Sequence, residues 1–99
     1  MVKSYYHATP FSNLNSILEK GIKVGIDGVV YLTEEPDEAV RFVAIRGFKK
    51  ILVIEVEVEE DMVEESFDHN FNFFKCKAFV YPNNISVSEF GGNIRTYEI

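Results

Sequence analysis

Apolar positions fall in two alternating rhythms along this chain, and their order predicts its elements. Val2 to His7 reads as a strand, closed by Thr9-Pro10, where Thr9 suits a helix N-cap and Pro10 the first helical position. Leu14, Ile17 and Leu18 then recur at i, i+3 and i+4, the spacing of an amphipathic helix, and Gly21 supplies its end. Gly28 to Leu32 is a second strand. Acids gathered at Glu34, Glu35, Asp37 and Glu38 around Pro36 open a second helix, facing the positive end of its dipole. Ala39, Val40, Phe42, Val43, Ala44 and Ile45 make that helix apolar around most of its circumference, until Gly47 stops it.

Lys50 to Glu59 is the clearest strand, with Leu52, Ile54, Val56 and Val58 on one face and Glu55, Glu57 and Glu59 on the other. The acids from Glu59 to Glu65 read as solvated surface leading into a loop over Ser66 to Asn72. Phe73 to Tyr81 alternates again, with Phe74, Cys76, Ala78 and Val80 on one side, and Pro82-Asn83-Asn84 makes a turn. Ile85 to Phe90 and Asn93 to Ile99 read as two short strands around a Gly91-Gly92 turn. The class is α+β with two N-terminal helices, and the expected core is Leu14, Ile17, Leu18, Val43, Leu52, Ile54, Val56, Phe74 and Val80.

Composition narrows this picture. Ninety-nine residues, 46% of them hydrophobic with nine Phe and five Tyr, suit one domain spanning 1–99 with a substantial aromatic core. Cys76 is the lone cysteine, which excludes a disulfide framework and fits a reducing, cytoplasmic setting. No segment approaches the roughly 20 apolar residues of a membrane span. A net charge of −6 with scattered basic residues disfavours nucleic acid as a partner. Phosphate loops, nucleophile elbows and metal-ligand spacings are absent from the sequence, so no metal site is expected.

The chemistry concentrates in Tyr5-Tyr6-His7-Ala8-Thr9-Pro10 and Gly28-Val29-Val30-Tyr31-Leu32-Thr33. An imidazole, a hydroxyl and an aromatic plane from neighbouring strands suit a ribose, a carboxamide and a stacking ring. The H-x-T followed by G-V-x-Y-L-T resembles the first two signature motifs of the ADP-ribosyltransferase superfamily, in the diphtheria-toxin-like branch with poly(ADP-ribose) polymerases and RNA 2′-phosphotransferases. That resemblance implies a split β-sheet core whose cleft holds NAD as substrate. It implies that His7 contacts the nicotinamide ribose, that Ala8 offers its backbone to the carboxamide, that Thr9 follows as the hydroxyl residue, and that Tyr31 packs on the ring.

The resemblance also implies a glutamate on a late strand that stabilises the oxocarbenium-like transition state. Glu89 is the candidate for it, although alignment by the turn points to Lys77 to Tyr81, which carries no acid. His69, in the polar knot Asp68-His69-Asn70, is either part of an Asx-bonded turn or a group that orients a phosphate or shuttles a proton. Two functions follow from these alternatives. One is an enzyme that transfers ADP-ribose to a protein or nucleic acid, or removes a 2′-phosphate from RNA. The other is a catalytically silent member of the fold that acts as a protein-binding or regulatory module.

Overall fold

The computed structural model describes residues 1–66 and 78–99. In chain order these form β1 (Val2–Pro10), α1 (Leu14–Lys20), β2 (Val30–Leu32), α2 (Pro36–Ala44), β3 (Lys50–Glu59), β4 (Glu64–Ser66), β5 (Ala78–Tyr81) and β6 (Phe90–Glu98). The architecture is α+β. One three-stranded sheet has the order β1-β3-β6 and the other the order β2-β5-β4, and every pairing is antiparallel.

Strand β3 is the spine because both of its faces are apolar in its first half. Leu52, Ile54, Val56 and Val58 face an inter-sheet core with Tyr5, Val30, Leu32, Tyr81 and Ile85. Ile51 and Val53 face the other way, into a second cluster with Ala39 and Val43 of α2. The first sheet is thus sandwiched between α2 and the second sheet. Beyond Ile54 the alternate positions become Glu55, Glu57 and Glu59, which leave the core.

Several expectations change on folding. Strand β1 does not stop at His7: it stays paired with β3 from Val2 opposite Glu59 to Pro10 opposite Ile51. Pro10 is tolerated because β1 lies at the edge of its sheet. Thr9 therefore caps no helix; its hydroxyl accepts a hydrogen bond from Asn13 Nδ2 at 2.7 Å, and a 3-10 turn over Phe11–Asn13 leads into α1. That tighter turn rotates the buried stripe onto Phe11, Leu14, Ile17 and Gly21, so Leu18 is 47% exposed instead of buried.

The others concern strands and the second helix. Helix α2 buries only the face carrying Ala39 and Val43, leaving Ile45 exposed, because it lies over one sheet and not between two. Glu64–Ser66, read as part of the acidic surface, is an edge strand paired with β5. On β5 the inter-sheet core receives Phe79 and Tyr81, while Val80 is half-buried on the opposite face. The Gly91-Gly92 turn is instead a bulge within one nine-residue strand, since Ile54 pairs with Ile94 and Val56 with Phe90. Glu55 fills the space over Gly91 and accepts a hydrogen bond from Asn93 Nδ2. Phe74 and Cys76, with the Phe73 to Lys77 part of the strand expected over Phe73 to Tyr81 and most of the loop before it, lie outside the described residues.

Candidate functional site

Among the described residues, the two sheets join through the isolated bridge between Tyr6 and Thr33. Tyr6 N–H donates to the Thr33 carbonyl at 2.8 Å and Thr33 N–H to the Tyr6 carbonyl at 2.9 Å. In an extended strand the N–H and C=O of alternate residues point to the same edge. Ala8 must therefore turn its peptide groups the way Tyr6 does, away from β3 and toward β2. Among the described residues they meet no backbone partner, because β1 and β2 have diverged there. The divergence opens a pocket of about 310 Å³ lined by Tyr6, His7, Ala8, Tyr31, Thr33 and Ala78, with Phe42, Ile45 and Arg46 from the α2 side.

His7 closes the gap that the diverging strands leave. Its Nδ1 lies 2.9 Å from the Tyr31 carbonyl oxygen, and because a carbonyl only accepts, Nδ1 carries the proton and donates. Burial pushes the imidazole below its ordinary pKa of 6.5, and the Tyr31 contact opposes this less strongly. The ring is consequently neutral near pH 7, and Nε2 is left with a lone pair. It can accept a hydrogen bond from a ligand hydroxyl or N–H.

Tyr31 is held by its own turn. Its hydroxyl donates to Asp27 Oδ2 at 2.5 Å, four residues back, across a loop closed by Gly28 N–H on the Gly25 carbonyl and Gly25 N–H on the Val29 carbonyl. Gly28 takes φ +80°, a conformation that a side chain would resist. Thr33, 2% exposed, spends its hydroxyl on the Glu35 carbonyl at 2.7 Å, which sets the chain for Pro36 at the start of α2.

Of the residues singled out in the sequence, His7, Ala8 and Tyr31 line one pocket. Thr9 does not: it is buried beneath the start of the 3-10 turn with its hydroxyl engaged by Asn13. Glu89 is also elsewhere, in a 3-10 turn over Val87–Glu89, where its Oε1 accepts from Ser86 N–H and Ser86 Oγ, each at 3.1 Å. The signal for that role was local, since Ser86-x-x-Glu89 is a capping-box spacing. His69 lies outside the described residues. Among the described lining residues there is no carboxylate, and no group of His, Cys, Asp and Glu suited to a metal occurs among the described residues.

Phe42, Ile45, Arg46 and Ala78 join the site without any motif to announce them. Ala78, 4% exposed, belongs to the Lys77 to Tyr81 stretch that alignment by the turn indicated, and it lines the pocket from β5. No helix among the described residues is long and apolar enough to cross a membrane. No family model matches the chain, and no curated protein sequence matches it.

Proposed function

We propose that this chain is an ADP-ribosyltransferase-like domain that binds the nicotinamide end of NAD in the pocket where β1 and β2 diverge. The observation that carries the reading is the placing of Ala8 between His7 and Tyr31 in one pocket lining, with strand alternation turning its peptide groups to the same edge as those of Tyr6. A carboxamide offers the complementary acceptor and donor on a flat ring. Tyr31 supplies a surface for that ring, and His7 Nε2 accepts from a ribose hydroxyl. Two small sheets meeting at a cleft are in keeping with the split-sheet core that the motifs imply.

Within that reading the silent, binding member is favoured over the transferase. Cleaving the bond between ribose and nicotinamide develops positive charge on the sugar, and glycosidic chemistry of this kind is served by a carboxylate beside it. The described lining offers none, and Glu89 is committed to its turn. Calorimetric titration of the protein with NAD, followed by assay of free nicotinamide over hours, separates the outcomes. Binding without release is expected. Release would support the transferase, and absence of binding would remove the NAD reading altogether.

A further inference from the structure

Arg46 is the one charged side chain among the described residues that line the pocket. Its neighbourhood is unusual for this chain, which holds sixteen acids against ten basic residues. Ion pairs among the described residues include those of the N-terminus, Lys3 and Lys50, whereas none of them engages Arg46. Its position follows from the backbone. Arg46 N–H donates to the Val43 carbonyl at 3.1 Å, Gly47 turns the chain away at φ +94°, and the guanidinium lies 5.2 Å from the Phe48 ring centre. The negative end of the α2 dipole favours a cation there without any acid to neutralise it, and a planar fork of donors beside a pocket suits a phosphate.

The other polar groups limit what else a ligand can use. The Tyr31 and Thr33 hydroxyls donate to Asp27 and to the Glu35 carbonyl. Among the described lining residues, the groups left for a ligand are the Ala8 peptide, the His7 Nε2 acceptor and the Arg46 guanidinium at the pocket's exposed end, which match a carboxamide ring, a sugar hydroxyl and an anion. At about 310 Å³ the pocket stands at the lower end of the roughly 300–1,000 Å³ usual for ligand sites. It suits one base–sugar–phosphate unit better than two.

Resting on the NAD reading, we infer that the unit this pocket recognises is a pyridine mononucleotide, with Arg46 as its phosphate anchor, and that the adenylate half of a dinucleotide adds little to binding. Titration with nicotinamide riboside, nicotinamide mononucleotide and NAD tests it. The mononucleotide is expected to bind about tenfold or more tightly than the riboside, as a charge-assisted contact would give, and within a few-fold of NAD. Arg46→Gln should erase the difference between riboside and mononucleotide, with the melting temperature reporting that the fold is kept. Equal binding of riboside and mononucleotide would overturn the anchor while leaving the NAD reading intact, and so would an undiminished preference in the variant. NAD binding more than about tenfold tighter than the mononucleotide would overturn the limit to one unit. Failure of all three ligands to bind would remove the NAD reading itself.

Discussion

His7 shows how one residue takes its chemical state from its surroundings. Burial lowers its pKa, so as pH falls the unfolded chain takes up this proton before the folded one does. The stability contributed by the neutral imidazole is therefore complete above about pH 6.5 and is lost as pH falls from there toward the lower folded value. His7→Asn keeps an N–H donor for the Tyr31 carbonyl but cannot titrate. Between pH 7.5 and 5.5 the wild-type melting temperature should drop further than that of His7→Asn, with the carboxylates contributing equally to both. Parallel pH profiles would show that His7 takes up its proton at the same pH in the folded and unfolded states, so that burial does not shift it.

At the scale of elements, glycines decide where strands and helices may meet. Gly21 ends α1 at φ +77° and ψ −169°, a region that only glycine occupies readily, and a Cβ there would collide with the Ile85 carbonyl oxygen. That carbonyl accepts from Ile22 N–H in the bridge tying the two segments together. Gly21→Ala should destabilise the protein by more than about 2 kcal/mol in urea unfolding, combining backbone strain with the lost bridge. Gly28→Ala, with φ +80° but open space around the added methyl, should cost about 1 kcal/mol, the backbone penalty alone. Equal costs would mean that the close approach to Ile85 carries no weight. The same scale explains Gly91-Gly92: the dipeptide signals a turn, and only the pairing of β6 with β3 on both sides converts it into a bulge.

For the whole molecule, the inter-sheet core draws Tyr5, Leu52 and Ile54 from one sheet and Val30, Leu32 and Tyr81 from the other. A sheet stripped of its partner would expose that face to water, so the two should unfold together. Far-ultraviolet circular dichroism and tyrosine fluorescence are expected to trace one coincident urea transition. Ile54→Ala, at a fully buried position, should move both traces equally, with a loss of about 2–5 kcal/mol. Separate transitions would show that the inter-sheet core and the Tyr6–Thr33 bridge do not couple the sheets.

Local periodicity determined β3 to the residue, the start of α2 at Pro36, the end of α1 at Gly21 and the α+β class, because backbone propensity and a repeating apolar face are properties of neighbouring residues. His7, Ala8 and Tyr31 were picked out by the resemblance of their two short motifs to those of a family, which is likewise visible in one dimension. What the alternation in β5 did not contain is which side of the strand meets the core, for that depends on β2 and the first sheet. Nor did it reveal that β1 continues through Thr9, because nine successive pairings with β3 outweigh the capping preference of a single threonine. The pocket belongs entirely to tertiary structure: its opening comes from the divergence of two strands beyond a single bridge, and Arg46 and Ala78 reach it from segments far apart in the chain. Residue chemistry was written locally, whereas the meeting of those residues required the sheets to be packed.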